Sequence, residues 1–157
     1  MRKKIINLVQ KKNVDPEPEW LDVEELGMVE VSSEDDAFPI EAALLPGKSS
    51  GWRASVPGNQ IIRLLFDQPQ RLRQIRLIFE ESEIERTQEY VLSWSNDNGE
   101  SYKEIVRQQW NFSPTGATSE IEDYQLDIPA VTIIELSINP DISGRNAFAS
   151  LKALRLA

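Results

Sequence analysis

Short runs in which apolar and polar residues alternate make up most of the chain from residue 28 onward. Side chains of a β-strand point alternately to its two faces, so this period indicates antiparallel strands with one buried face. The runs with this pattern are Met28–Ser33, Gln60–Asp67, Leu72–Glu80, Glu89–Ser95, Tyr102–Phe112, Ile121–Ile128, Val131–Ile138 and Ser150–Leu156.

Turn-forming residues separate these runs. Asn98-Gly99, between two alternating runs, is a strong hairpin signal. Further turns are predicted at Asp67 to Pro69, at Pro129 and at Asn139 to Asp141. About eight short strands with no helix between them predict an all-β protein, an antiparallel β-sandwich of jelly-roll type.

Residues 1–27 differ from this pattern and are predicted to form an N-terminal arm before a domain at residues 28–157. Asp15-Pro16 is a helix-start signal and Gly27 a stop signal. Between them Trp20 is the first of three apolar residues at helical spacing. We expect a short helix over about 17–26 that places Trp20 against the body of the protein.

The composition removes most enzyme mechanisms, because the 157 residues include neither His nor Cys. Imidazole general bases, catalytic triads, thiolate nucleophiles and disulfides are therefore excluded, as are His- or Cys-ligated metals. We predict no catalytic activity and no cofactor.

The formal net charge of −9 is unevenly distributed. Residues 1–12 carry five bases and no acid, whereas eleven acids and no base lie between Lys12 and Lys48. An acidic body disfavours nucleic acid as a partner. The basic start is either a solvated terminus or an arm for nucleic acid or membrane, and the solvated terminus is favoured. No run is long enough for a cleavable signal or a membrane span. We therefore expect a cytoplasmic protein with no membrane contact.

The order of several segments resembles the discoidin domain, the coagulation factor five/eight C-type family. These segments are Ser32-Ser33, residues 43–52 ending in Gly51-Trp52, residues 60–69, residues 72–77, residues 90–102 and residues 149–156. The resemblance covers about residues 28–157. It implies a galactose-binding-like jelly roll that binds a ligand without catalysis.

Many sugar-binding members of that family hold a calcium ion with acids in the loop before the Trp and a Glu in the last strand. Here Pro46 and Lys48 stand at the loop positions and Ala153 at the strand position. Proline has no side-chain oxygen and a lysine ammonium repels a cation. We therefore expect no metal at this site.

The resemblance also implies that ligand binds where the longer loops meet. By strand parity, the loop after Ser33 lies at the same end of the sandwich as Glu81–Gln88, Asn111–Glu120 and Asn139–Ala147. Loops on a rigid scaffold commonly carry binding residues, and sugar sites combine an aromatic platform with planar polar groups. The candidate ligand-binding residues are Arg53, Arg86, Trp110, Asn111, Asp141, Arg145 and Asn146.

For several aromatic and charged residues, a structural role is the alternative to a role in ligand binding. Trp52 and Trp94 are predicted to be core residues, and Trp110 is either core or a ligand platform, with core favoured. Arg86 either contacts the ligand or pairs with Glu83 or Glu85. The acids of the loop at residues 81–85 are predicted to be solvated rather than catalytic.

The sequence thus predicts a non-catalytic module that binds a carbohydrate or a similar polar ligand at the loop end. The alternative is an intracellular protein-interaction module, or a subunit of a larger assembly, that uses the acidic segment at residues 15–41 or a face of the sandwich. The oligomeric state and the particular ligand are not predicted.

Overall fold

The computed structural model describes residues 1–4 and 18–157. Within these residues the chain forms eight strands and two helices of four residues each. In chain order they are α1 (Val23–Leu26), β1 (Gly27–Val31), α2 (Glu41–Leu44), β2 (Trp52–Arg53), β3 (Gln60–Glu80), β4 (Arg86–Ser95), β5 (Lys103–Phe112), β6 (Ser119–Asn139), β7 (Ser150–Leu151) and β8 (Ala153–Leu156).

All strand pairs are antiparallel, which confirms the predicted all-β class. Five strands form a sheet in the order β1-β3-β6-β4-β5, and β8 joins β3. The short strands β2 and β7 form a separate pair. The many polar residues on alternate positions leave one face of each strand for the core.

Strand β3 folds back on itself and so builds both layers of the sandwich. Its 21 residues would extend about 70 Å if straight. However, Phe79 near its end stacks on Tyr90 with ring centroids 5.1 Å apart, and Tyr90 pairs with Ile138, which also pairs with Gln60 at the start of β3. The two ends of β3 therefore meet, and β6 follows the same path as its partner.

The predicted turns at Asp67 to Pro69 and at Pro129 are wrong, because β3 and β6 continue through them. The register between these strands shifts between Leu65 and Gln74, and neither proline belongs to a registered pair. Proline cannot donate to a sheet ladder, so it is tolerated at such an irregularity. The chain bends there without a hairpin, and four predicted strands are the halves of two long ones.

Other boundaries also differ from prediction. Helix α2 lies between strands where no helix was expected, and the last predicted strand is divided at Lys152. The predicted hairpin at Asn98-Gly99 is confirmed: it joins β4 to β5, and both residues have positive φ, 57° and 91°. This backbone matches the twist of the flanking strands.

The core fills the space between the layers. Its largest members include Trp52, Phe79, Tyr90 and Phe112, each at most 1% exposed. The indole Nε1 of Trp52 donates to the carbonyl of Ser33 at 2.9 Å, so the prediction of a core residue is confirmed. Trp94 is half-buried and packs against the core, with the Nζ of Lys103 5.3 Å from its ring.

The arm helix is shorter than predicted. Helix α1 begins after Asp22, whose carboxylate accepts from the backbone N–H groups of Glu24 and Glu25. Residues 18–21 are not helical, and residue 17 lies outside the described residues. The predicted contact of Trp20 with the body is confirmed by the guanidinium of Arg76, 5.0 Å from its ring. No helix among the described residues is long and apolar enough to cross a membrane.

Candidate functional site

The longer loops gather at one end of the sandwich, which we call the loop end. The backbone N–H of Glu81 donates to the carbonyl of Thr118 at 2.8 Å, and that of Ile142 donates to the carbonyl of Thr87 at 2.9 Å. The first bond joins the β3–β4 and β5–β6 connections, and the second joins the β6–β7 connection to the start of β4. The longer loops therefore lie at one end, as strand parity predicts. Parity still holds because the bend in β3 reverses the direction of the chain, as the predicted turn would have done.

Arg86 lies beneath this end and not on its surface. Its side chain is fully buried and bonds Glu81 through Nε at 2.8 Å and the Pro140 carbonyl through Nη1 at 3.0 Å. Nη1 and Nη2 also donate to Gln88 and Ser150, and the guanidinium lies 5.0 Å from the Phe112 ring. The prediction that Arg86 contacts a ligand is wrong, and so is the choice of Glu83 or Glu85 as its partner. Its acceptors converge only in the folded chain.

Arg53 and Phe148 line a cleft at the loop end, which we call the Arg53 cleft. The guanidinium of Arg53 lies 5.3 Å from the Phe148 ring, and Phe148 is 36% exposed. The part of the cleft on one side of Arg53 and Phe148 has a volume of about 440 Å³, within the range of small-ligand sites. Its remaining walls on that side are Glu34, Asp35, Asp36, Ala54 and Ser55. On the other side Arg53 and Phe148 also line a second hollow with Phe38, Ser50, Trp52, Glu80, Glu81, Ser82, Glu83 and Ser150.

Backbone hydrogen bonds fix the acidic wall of the Arg53 cleft. The N–H of Asp35 donates to the carbonyl of Arg53 at 2.8 Å, and the N–H of Arg53 donates to the carbonyl of Phe38 at 3.1 Å. The carboxylate of Glu34 accepts from the N–H of Ile40 at 2.9 Å. The wall is thus held against β2, and its exposed carboxylate at Asp36 faces solvent.

A second cleft adjoins the first and contains three of the predicted site residues. We call it the Arg145 cleft, and its volume is about 260 Å³. It is lined by Pro57, Gly58, Asn59, Asn139, Pro140, Asp141, Ile142, Gly144, Arg145 and Asn146. Asp141 is buried and its carboxylate accepts from Ser143 and from the Nε of Arg145 at 2.9 Å. Burial raises the pKa of Asp141, but the bonds from Ser143 and the attraction of Arg145 outweigh it, so the pKa lies below its usual range.

Trp110 and Asn111 lie on β5 and line neither cleft. Trp110 is half-buried and packs against the core, and Asn111 accepts a hydrogen bond from the hydroxyl of Thr87 at 2.8 Å. The structure therefore separates the predicted set. Arg53 belongs to one cleft, Asp141, Arg145 and Asn146 belong to the next, and Arg86, Trp110 and Asn111 support the loop end from below or beside it.

A polar cluster is buried near the loop end. Glu120 is 1% exposed, and neither of its carboxylate oxygens has a hydrogen-bond partner among the described residues. Burial, followed by the neighbouring Glu122, raises the pKa of Glu120 to about 7. The hydroxyls of Tyr90 and Tyr124 lie 2.5 Å apart in the same region, and burial raises the pKa of both tyrosines. The cluster favours a protonated Glu120 at neutral pH and below.

The residues at the position where the resemblance to discoidin domains would place calcium do not fit that ion. Pro46 offers no side-chain oxygen and Lys48 adds a positive charge. The guanidinium of Arg155 in β8 instead donates to the carbonyls of Ala43 at 2.7 Å and Leu45 at 3.3 Å. Lys152 similarly donates to the carbonyl of Ser49. Side-chain cations of the C-terminal strands thus bind the loop carbonyls.

Sequence reasoning missed Phe148, the exposed aromatic residue of the Arg53 cleft, and Phe38 beside it. A signal for Phe148 exists, since it stands between Ala147 and Ala149 just before the last strands. Both alanines are buried, so period-two alternation points the aromatic side chain outward. Phe38 has no comparable signal.

No protein-family model and no curated protein sequence matches the chain. Several solved structures match the chain. The family 32 carbohydrate-binding module from C. perfringens NanJ in complex with galactose has a TM-score of 0.64 at 14% identity, over 87% of this chain and 96% of that one. A pectin-binding carbohydrate-binding module has a TM-score of 0.59 at 18% identity, over 83% and 89%.

A third match is chitosan-binding module 1 of a chitosanase/glucanase from Paenibacillus sp. IK-5, with a TM-score of 0.59 at 20% identity over 83% of this chain and 94% of that one. Identities this low establish the fold alone. The chain therefore shares the antiparallel β-sandwich fold of these modules.

Proposed function

We propose that the protein is a non-catalytic carbohydrate-binding module whose Arg53 cleft holds the glycan. The observation that carries this proposal is the exposed ring of Phe148, beside the guanidinium of Arg53 in an open polar cleft at the loop end. An exposed aromatic ring amid convergent polar groups is the composition of a small-ligand site.

The chemistry of the cleft suits a sugar. A ring such as Phe148 offers an apolar face to the C–H groups of a pyranose. The Arg53 guanidinium offers a planar set of donors to hydroxyl oxygens, and carboxylates such as Asp36 accept from sugar O–H groups. The carbohydrate-binding modules of the same fold, one solved with galactose, support this choice of ligand class.

The absence of catalysis is part of the proposal. The chain has no His and no Cys to act as acid, base or nucleophile. Of the carboxylates that the β3–β4 loop contributes to the Arg53 cleft, Glu81 is held by the buried Arg86, and Glu83 is exposed. Glycoside hydrolysis needs two carboxylates facing each other across the scissile bond, and this loop does not provide such an arrangement.

The finer relationship to discoidin domains is likewise proposed, on the ordered segments of residues 28–157. A cytoplasmic location remains a prediction from the sequence. The interaction with a protein partner is the competing hypothesis. Part of the acidic segment that would serve it, residues 34–36, forms a wall of the Arg53 cleft. One experiment therefore tests both ideas at the same surface.

The test is a glycan array followed by calorimetric titration of the best glycan into the parent and into Phe148→Ala and Arg53→Ala. We expect each variant to lose at least about tenfold in affinity, equal to 1.4 kcal/mol, with an unchanged melting temperature. Tyr102→Ala is the matched control, since Tyr102 is 38% exposed and lies in the β4–β5 hairpin at the opposite end.

Two results would contradict the proposal. One is a parent protein that binds no glycan on the array but retains a protein partner through Asp36 and Arg53. The other is a glycan that binds the Phe148 and Arg53 variants as tightly as the parent.

A further inference from the structure

We propose that the bound glycan is an oligosaccharide that runs from the Arg53 cleft into the Arg145 cleft, so that the loop end has two subsites. This inference rests on the proposed function and adds the length and direction of the ligand. It assigns a role to Asn59 and to three residues selected from the sequence, Asp141, Arg145 and Asn146.

The same two stretches of backbone form the floor of both clefts. The N–H of Ala54 donates to the carbonyl of Ala149 at 2.9 Å, and the N–H of Gly58 donates to the carbonyl of Ala147 at 3.1 Å. Residues 54–58 thus run alongside residues 147–149.

Each stretch passes directly from one cleft to the other. Ser55 lines the Arg53 cleft and Pro57 the Arg145 cleft, while on the neighbouring stretch Phe148 lines the first and Asn146 the second. Residues two apart have Cα atoms within about 8 Å of each other. The two clefts are therefore adjacent sections of one groove across the loop end.

The Arg145 cleft has hydrogen-bonding groups that the protein leaves free. The side chain of Arg145 is 63% exposed, and its contacts with Asp141 and Ser143 use only Nε. Among the described residues, its two terminal amino groups have no protein acceptor. Asp141 is buried and holds the guanidinium of Arg145 at Nε. The terminal amino groups of Arg145 lie on the exposed part of the side chain, which lines the cleft.

The rim of the Arg145 cleft is also open. Gly58 and Gly144 both have positive φ, and no heavy atom lies within 4 Å of the place where a Cβ would stand. The side chains of Asn59 and Asn146 are exposed beside them. Bare backbone and amide groups allow close approach of a hydroxyl-rich ligand.

The two clefts present different side chains to a ligand, and this difference assigns a role to each cleft. The Arg53 cleft has the exposed aromatic residue Phe148, whereas the lining of the Arg145 cleft includes no aromatic residue. The first therefore anchors one sugar unit, and the second adds hydrogen bonds to the next units. Sugar hydroxyls recur in every unit, so a polar groove gains contacts as the chain lengthens.

The test is calorimetric titration of glucosamine and its β-1,4-linked dimer, tetramer and hexamer, with galacturonic acid and its oligomers of the same lengths as a second series. In the parent we expect the tetramer of the series that binds to have at least about tenfold higher affinity than the monomer, or 1.4 kcal/mol. The double variant Asn59→Ala, Arg145→Ala should bind the tetramer only as tightly as the parent binds the monomer. Its affinity for the monomer should not change.

Arg107→Ala is the matched control, because Arg107 is also exposed and bonded to carboxylates but lies on β5 away from the groove. Equal affinity of monomer and tetramer in the parent would overturn the second subsite and leave the proposed function standing. Loss of monomer affinity in the double variant would also overturn it. A parent that binds neither series, nor any glycan on the array, would overturn both proposals.

Discussion

Arg86 is the residue on which the packing of the loop end depends most directly. It is fully buried and joins the β3–β4 loop, the β6–β7 loop and β7 through Glu81, the Pro140 carbonyl and Ser150. Truncating one partner of a buried ion pair leaves the other charge without compensation.

We therefore expect Arg86→Ala to lower the free energy of unfolding by about 3–5 kcal/mol. Urea denaturation of the parent and the variant measures this change. Arg107→Ala is the control, since an exposed pair contributes at most about 1 kcal/mol. Equal stability of the Arg86 variant and the Arg107 variant would show that the buried network does not hold the loops.

Glu120 makes the stability of the protein depend on pH. Burial raises its pKa to about 7 in the folded chain, from an ordinary value of 4.5. The folded state therefore retains a proton that the unfolded chain releases, and the free energy of unfolding falls as pH rises from 4.5 to 7. The loss is roughly 3 kcal/mol when complete.

Glu120→Gln removes this titration while keeping the size of the side chain. We expect the variant to be more stable than the parent at pH 8 and to show a flatter dependence between pH 5 and pH 7. Thermal unfolding over this pH range measures the difference, with the exposed Glu100→Gln as control. A parallel pH profile for parent and Glu120 variant would contradict the assignment.

At the scale of elements, cationic side chains near the C-terminus hold the segment from the end of α2 to β2. Arg155 binds the carbonyls of Ala43 and Leu45, and Lys152 binds that of Ser49. Positive side chains thus hold the loop that contains Pro46 and Lys48, two residues that are poor ligands for calcium.

We expect neither calcium nor a chelator to change the melting temperature by more than about one degree. If the folded protein bound calcium, added calcium would raise the melting temperature by several degrees. Calcium at a hundredfold excess over its Kd would add about 2.7 kcal/mol to the free energy of unfolding. Differential scanning calorimetry with calcium chloride and with EGTA decides between these outcomes. A clear rise with calcium and a fall with EGTA would show that a site exists despite the lysine and the proline.

The whole molecule carries a formal net charge of −9, and acids form much of the wall of the Arg53 cleft. Among the residues that the structure describes, Arg53 is the only basic residue that lines this cleft. The field at the loop end therefore favours neutral or cationic glycans over anionic ones. Salt shortens the range of this field, to about 8 Å at physiological ionic strength.

We expect galacturonate oligomers to bind more weakly than chitosan oligomers of the same length at low salt. The difference in affinity should narrow as salt is added. Titrations of both series at low and at high sodium chloride measure it, and Asp36→Asn should reduce the preference. Tighter binding of the galacturonate series at low salt would show that Arg53 and Arg145 outweigh the acidic walls.

The pattern of apolar and polar residues predicts which residues face inward and which ends of the strands carry the longer loops. Period-two alternation identifies Ile75, Leu77 and Phe79 as one face, and all three are buried. The glycine turn after Asn98 fixes one hairpin. These features depend on local backbone geometry, which a few neighbouring residues set.

The contacts between distant side chains, in contrast, depend on how the whole chain folds. Arg86 is buried because its acceptors, including Pro140 and Ser150, arrive from positions 54 and 64 residues away. Phe148 meets Arg53 across a still larger separation in sequence. Apolar and polar residues alternate in the same way along one long strand that bends and along two strands joined by a hairpin. The sequence therefore did not distinguish these two cases. Side-chain alternation is a property of neighbouring residues, whereas a cleft depends on how distant segments pack.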